Sequence, residues 1–285
     1  NTNSLSGVGI TAVLVAEARA TETARPDRLF DDPFADSFVK SAITRSETIR
    51  LALRKKSPSE PIRRARLEAV AARTRFFDDY LESAVQSGFT QVVLLTAGLD
   101  ARAFRLRWPA GVRLWELDQP AVLNFKDWVV AEMGASSVCK RYVTPVDLRE
   151  DWSSSLADAG FNQSLPTAWL VEGLLMYLRE DERDVLLDRI GELSNVGSRI
   201  ALDHRAGFLS TPTLASPDDP SGERAAAHLA TLAASAASDR SLTEAEGWLA
   251  DHGWRASVLP LAAIMPRYGR PVPGELCKMG MGSSR

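Results

Sequence analysis

The run Val92-Val93-Leu94-Leu95, followed at once by Thr96-Ala97-Gly98-Leu99-Asp100, constrains this chain more than any other stretch. Four apolar residues in a row, too short and too continuous for an amphipathic helix, read as a strand buried on both faces of a parallel sheet. At Ala97-Gly98 a backbone without bulky side chains can turn sharply and let a ligand approach. Asp118 closes a second apolar run, Val112–Leu117, twenty residues beyond Gly98. A glycine turn after one strand and an acid after the next is the layout of a nucleoside site in a doubly wound α/β sheet.

The rest of the chain fits around that pair. From residue 90 to about 204, strand and helix patterns alternate, which implies a parallel sheet. The expected strands are Gln91–Thr96, Val112–Leu117, Tyr142–Val146, Thr167–Val171 and Ser198–Asp203. Two closing strands are read at Ala256–Leu259 and Leu276–Met281, giving a Rossmann-like, mostly parallel sheet of seven strands. A helix is expected from Pro120, favoured in a first turn, to Gly134, a good stop. Another opens near Arg179-Glu180-Asp181-Glu182, whose acids suit a helix N-terminus. Residues 1–89 read as a helical segment packing on the core and its ligand site, with helices over Thr11–Ala20, after Asp31–Asp36, and over Glu68–Ser87. Residues 205–242 are rich in Ala, Ser, Pro and Asp, and read as either a surface loop or a helical cover over a pocket. The core resumes with a helix from Thr243 to Asp251.

With 285 residues and 45% hydrophobic content, one large domain with appendages is expected rather than two equal domains. A net charge of −3 gives no global reason to expect a nucleic-acid or membrane partner. Cys139 and Cys277 form no C-x-x-C pair and read as reduced thiols of a cytoplasmic protein. No apolar run is long enough to span a bilayer, and Asn1-Thr2-Asn3-Ser4 does not read as a signal peptide. Between Arg45 and Arg75 lie ten Lys or Arg and three Glu. This is a solvated helix face, or one from which an arginine or two, with Arg73 and Arg75 the candidates, points inward to hold an anion.

The carboxylate of Asp118 suits the paired hydroxyls of a ribose, which leaves a nicotinamide dinucleotide or S-adenosylmethionine as the main candidates. A dinucleotide calls for G-x-G-x-x-G around its pyrophosphate. Here the six positions are Thr96-Ala97-Gly98-Leu99-Asp100-Ala101: two glycines are missing, and Asp100 would set an anion beside a phosphate. S-adenosylmethionine has no phosphate and carries cationic ammonium and sulfonium groups. Asp100, Asp118, Asp147 and Glu172, at the ends of four successive strands, suit it better. No set of metal ligands is read.

The segments Val92–Leu106 (VVLLTAGLDARAFRL), Trp115–Pro120 (WELDQP), Val146–Arg149 (VDLR) and Trp169–Leu178 (WLVEGLLMYL) resemble the leucine carboxyl methyltransferase family. The resemblance is to its bacterial branch of S-adenosylmethionine-dependent O-methyltransferases. It extends to Thr11–Ala35, with Arg19-Ala20 and Asp32-Pro33-Phe34, and covers roughly residues 8–205. It implies S-adenosyl-L-methionine as cofactor and residues 90–285 as the methyltransferase domain. Gly98 with Ala97 would then form the turn under the methionine part, and Asp118, with Gln119 beside it, would hold the ribose. Asp147 with Leu148 would frame the adenine. Arg73 matches the arginine that meets the cofactor carboxylate, and Glu172 and Tyr177 match positions lining the methyl-transfer pocket. Arg19 matches a basic residue near the substrate. Where the family usually has glycine this chain has Thr96, a departure that bears on cofactor affinity.

A carboxylate acceptor, with a solution pKa of about 4, is ionised at pH 7 and needs no base. Alignment can supply on the order of 7–11 kcal/mol, and an arginine such as Arg73 can orient a carboxylate. The expected activity is therefore methyl esterification of a small-molecule or peptide carboxylate by a monomer or homodimer. A phenol or alcohol acceptor would gain from a base, and His204, ending a strand at the ligand-facing edge, is the candidate. A third possibility is a non-catalytic binding protein on a methyltransferase fold, with the basic run at Arg45–Arg75 and Thr96 as its support.

Overall fold

A computed structural model describes residues 8–54, 60–203 and 242–274. They fall into two compact units, one built mainly from Phe77–Arg205 with Leu249–Trp254, the other mainly from Ser4–Phe76 and Arg255–Arg285.

The helical unit opens with α1 (Val8–Thr23), α2 (Ala35–Arg45) and α3 (Glu47–Arg54). Helix α4 (Glu60–Gln86) begins in this unit, and the division falls within it, after Phe76. Alanines and β-branched residues of α1 turn inward, with Val13, Ala16 and Ala18 buried. Asp32 accepts the N–H groups of Phe34 and Ala35 and so fixes the turn into α2. Buried charge ties this unit to its C-terminal segment. Arg270 donates to Glu22 and Asp27 and lies 3.7 Å from Glu68, which also pairs with Arg25 at 2.7 Å. The basic run is partly turned inward, onto the protein's own groups. Arg75 donates to the Leu29 carbonyl at 3.3 Å, and Arg66 is half-buried, with burial lowering its pKa against the pull of Glu17.

The sheet unit runs β1 (Gln91–Leu95), α5 (Arg102–Arg105), β2 (Arg113–Asp118), α6 (Pro120–Glu132), β3 (Lys140–Pro145), α7 (Trp152–Asp158), β4 (Ala168–Val171), α8 (Glu180–Glu192) and β5 (Arg199–Leu202). The five strands are parallel, in the order β3-β2-β1-β4-β5. Every residue of β1 and β4 is buried, as the apolar runs Val92–Leu95 and Ala168–Val171 require, and the buried Gln91 amide donates to Thr167 Oγ1 at 2.7 Å. Trp115 stacks on Tyr142 at 4.8 Å between ring centroids. Phe161 packs edge-on to Trp115, and Trp152 edge-on to Trp169. Helix α6 begins with Pro120 in its first turn and stops before Gly134, whose φ is 62°. In α8 the Glu182 carboxylate accepts the Arg179 N–H, so the acids of the first turn cap the helix they open.

Two helices close the described chain, α9 (Leu242–Asp251) and α10 (Leu261–Ile264). The expected strand at Ala256–Leu259 does not form. Its side chains alternate between half-buried and exposed, but no strand among the described residues pairs with it, and the Val258 N–H goes to Glu246 Oε1 instead of a ladder. Leu276–Met281 lies outside the described residues, as does all but the last residue of 205–242, so the described sheet has five strands. No described helix is long and apolar enough to cross a membrane.

Candidate active site

The strand order reverses between β1 and β4, since one connection leads outward through β2 to β3 and the other through β4 to β5. In an open α/β sheet such a reversal opens a crevice at the carboxyl ends of the strands, and ligands bind there. The loops after β1, β2 and β4 carry most of the candidate residues of this unit.

After Leu95 the chain turns twice through the left-handed region, at Thr96 (φ 55°) and at Gly98 (φ 51°). Ala97 N–H still pairs with the Leu117 carbonyl, and Asp100 N–H closes a turn on the Ala97 carbonyl. Gly98 N–H, freed by the second turn, points at β2 and donates to Asp118 Oδ2 at 2.6 Å, while Gln119 N–H donates to Asp118 Oδ1 at 2.6 Å. Two backbone donors thus fix the plane of the Asp118 carboxylate and leave further lone pairs on each oxygen for ligand hydroxyls. The side chain is buried. Burial raises its pKa, against the Gly98 and Gln119 N–H groups and Lys126, which lower it; nearby Glu116 adds to the rise.

Thr96 is the one non-glycine residue with positive φ among the described residues. A β-branched side chain is strained there, at a cost of roughly 1–2 kcal/mol. Its hydroxyl donates to the Leu95 carbonyl at 2.6 Å and lies 3.4 Å from the Glu172 carbonyl. The strain gives a physical reason for glycine at this position. After the entropic cost of glycine, Thr96→Gly should still stabilise the protein by about 0.5–1 kcal/mol, raising the thermal midpoint by about 2 °C. A midpoint below that of the wild type would mean that the hydroxyl contacts outweigh the strain.

The other three acids are not bare carboxylates. Arg102, wholly buried, donates to Asp100 Oδ2, to Glu172 Oε2 at 2.8 Å and to Asp78 Oδ1 at 2.6 Å. Arg105 also pairs with Asp78, at 2.7 Å. Burial alone would lower the pKa of Arg102, but Asp100, Glu172 and Asp78 outweigh it and hold the guanidinium firmly charged. Asp100 Oδ1 accepts the Arg102 N–H at 2.6 Å, so a carboxylate already occupies the start of α5, where a dinucleotide would place its pyrophosphate. Asp147 pairs with Arg149, whose hydrogen bond lowers its pKa against a partial burial that would raise it. Beside it Leu148 is half-buried, and the Gln119 side chain is exposed. Tyr177 ends a single 3-10 turn, Leu175–Tyr177, and its N–H donates to the Leu174 carbonyl.

Arg19 and Arg73 belong to the helical unit. Arg19 is buried in α1 and its Nε donates to Thr74 Oγ1 at 3.4 Å, while Arg73 is half-buried in α4. His204 lies outside the described residues. Sequence reasoning gave no role to Arg102, Asp78 or Arg149. The one available signal was an arginine two residues after an acid, at Asp100–Arg102 and again at Asp147–Arg149. Of the two cysteines Cys139 is described; it is half-buried, and burial followed by Glu116 pushes its pKa up to about 12, so it is a thiol at neutral pH. No group of side chains able to hold a metal ion occurs among the described residues.

The model of the leucine carboxyl methyltransferase family matches residues 12–191. A protein of Mycolicibacterium vanbaalenii is 40% identical over 280 residues, covering 95% of this chain and 90% of its own. One from Streptomyces coelicolor is 44% identical over 280 residues, covering 94% and 90%. One from Parafrankia is 40% identical over 280 residues, covering 95% and 84%. All three carry the provisional name of S-adenosyl-L-methionine-dependent methyltransferase.

Proposed function

The chain belongs to the leucine carboxyl methyltransferase family, and from that premise we propose that this S-adenosyl-L-methionine-dependent methyltransferase esterifies a carboxylate of a small molecule or peptide. The residues at the strand ends fit the cofactor. Asp118 is pinned with lone pairs to spare for ribose hydroxyls, the turn at Ala97-Gly98 is low, and the start of α5 is closed to phosphate by Asp100. Asp118 would hold the ribose and Ala97-Gly98 would lie under the methionine part. Asp147 and Leu148 would flank the adenine. When bound, the cofactor supplies an electrophilic methyl group on a sulfonium.

The observation that supports a carboxylate acceptor is the pairing of the site acids. A general base for a phenol or alcohol should have a pKa near the working pH. Asp100 and Glu172 share the guanidinium of Arg102, and Arg149 holds the pKa of Asp147 below the ordinary carboxylate range. Asp147, so lowered, makes a poor base, and the oxygens of Asp100 and Glu172 that face Arg102 are already engaged as acceptors. Asp118, oriented by its two backbone donors, would serve the ribose. An acceptor that is already ionised asks only to be oriented and kept from water, and that is what these residues can do.

The test is to incubate the protein with methyl-labelled S-adenosylmethionine and a cell extract, then treat the product with mild base. Label released as methanol is the result expected of an ester; a base-stable label would overturn the carboxylate reading. The His204→Ala variant gives a second, independent readout. Turnover should stay within a few-fold of wild type, whereas a phenol methyltransferase using His204 as base would lose roughly 10²–10⁴-fold.

A further inference from the structure

Asp100 and Glu172 stand in different loops, one following β1 and the other β4, so they face each other across the point where the strand order reverses. Side chains of like charge in such a place repel, and unaided they would push the two loops apart. A single guanidinium meets both: Nη1 of Arg102 donates to Asp100 Oδ2 and to Glu172 Oε2. Its Nε is anchored from behind on Asp78 Oδ1 at 2.6 Å, near the C-terminal end of α4, and Asp78 is held in turn by Arg105. Arg102 has no exposed surface, so it cannot itself be a ligand contact. What it can do is fix the separation and orientation of two carboxylates that border the crevice.

We propose that Arg102 is a positioning residue of the methyl-transfer site, clasping the loops after β1 and β4 around the methionine end of the cofactor. The inference rests on the reading that S-adenosylmethionine binds at the carboxyl ends of the strands. The end of the ligand that it concerns follows from the topology. Asp118 closes β2, on one side of β1, and Asp100 and Glu172 border the gap on the other side, toward β4. A nucleoside whose ribose lies on Asp118 therefore extends its remaining atoms across β1 to the clasp. A planar fork can engage two carboxylates in fixed directions; the lysine ammonium keeps the charge but lacks the fork.

This division gives a readout that loss of general stability would not produce. Adenosine uses the Asp118 side alone, while S-adenosylmethionine needs both sides. Calorimetric titration of the wild type, Arg102→Lys and Asp78→Asn with each ligand separates the cases. Residues that orient ligand-binding groups from behind typically cost roughly 10–100-fold when altered, by analogy with the outer shell of metal sites. Arg102→Lys should therefore weaken S-adenosylmethionine binding by about that factor and leave the dissociation constant for adenosine within about twofold. Asp78→Asn, which touches the loops only through Arg102, should shift the same ratio in the same direction by a smaller factor, and it keeps the test available if Arg102→Lys fails to fold. Equal weakening of both ligands, or of neither, in a folded variant overturns the role of Arg102. A wild-type protein that binds neither ligand overturns instead the placement of the cofactor, and this inference with it.

Discussion

Replacing Asp118 by alanine should abolish measurable cofactor binding at concentrations that saturate the wild-type protein. The carboxylate has two oxygens, each pinned by one backbone N–H and each with capacity left for a ribose hydroxyl. Hydrogen bonds to a charged group contribute roughly 1.5–3 kcal/mol each. Losing two of them corresponds to a loss of about 10²-fold or more, at tenfold per 1.4 kcal/mol. The substitution also leaves the Gly98 N–H without its Asp118 acceptor, so the turn at Ala97-Gly98 should loosen too. Calorimetry or a thermal-shift titration with S-adenosylmethionine checks this, and an unchanged dissociation constant in the alanine variant would remove Asp118 from the site.

The ionisation of Asp118 adds a pH dependence of definite sign. Burial raises its pKa above the ordinary value near 4. If Asp118 holds the ribose as proposed, its ionised form would accept both hydroxyls, so cofactor affinity should fall as pH drops through that raised value, and Asp118→Asn should flatten the profile. Folding moves the other way. A carboxyl that binds its proton more tightly in the native state than in the unfolded chain contributes stability that is fully present below the ordinary carboxylate range. That contribution is lost as pH rises through the raised pKa. An affinity profile parallel to the stability profile would contradict this assignment.

What could be read from the sequence, and what could not, separates by the range of the interaction. The five strands fall within about two residues of their expected positions: β1, β2 and β4 carry apolar runs that a buried sheet accommodates, while β3 and β5, only partly buried, are legible from their place in the alternation of strands and helices. The position of Asp118 was legible because it closes an apolar run at a strand end. The pattern Ala256–Leu259 misled because alternation says which side chains face inward, not whether a neighbouring strand exists to accept the backbone. At the site, the positions of Asp100 and Glu172 were legible and their partners were not. Arg102 stands in the middle of the segment that carries the family resemblance, yet its partners Asp78 and Glu172 lie 24 and 70 residues away. The acids therefore looked like bare negative charge awaiting a cation, when the fold had already supplied a guanidinium. Thr96 was visible as a departure from glycine, but only the backbone conformation gives that departure a cost.

Substituting Glu116 by leucine should be among the most destabilising changes available in the sheet unit, for a reason that also bears on the site. Glu116 has no exposed surface, and its Oε2 accepts Lys126 Nζ at 2.7 Å together with Arg141 Nε at 3.0 Å and Nη2 at 2.7 Å. Arg141 keeps a second partner in Asp127 at 2.8 Å. Lys126, equally buried, would be left with only the neighbouring field of Asp118, which already responds to it. Removing one member of a buried pair typically costs roughly 3–5 kcal/mol, because the remaining charge is desolvated without compensation. Replacing the pair by apolar residues of similar volume is often nearly neutral. Denaturant unfolding of Glu116→Leu, Lys126→Met and the double variant should therefore give a double variant more stable than Glu116→Leu alone; additive losses would show that the pair is not coupled. The same variants report on function, because Lys126 lowers and Glu116 raises the pKa of Asp118. Glu116→Leu at low temperature, where it remains folded, should bind S-adenosylmethionine down to a lower pH than wild type, and Lys126→Met should lose binding at a higher one. Opposite shifts from two buried residues would trace the electrostatics of Asp118 to the pair behind it.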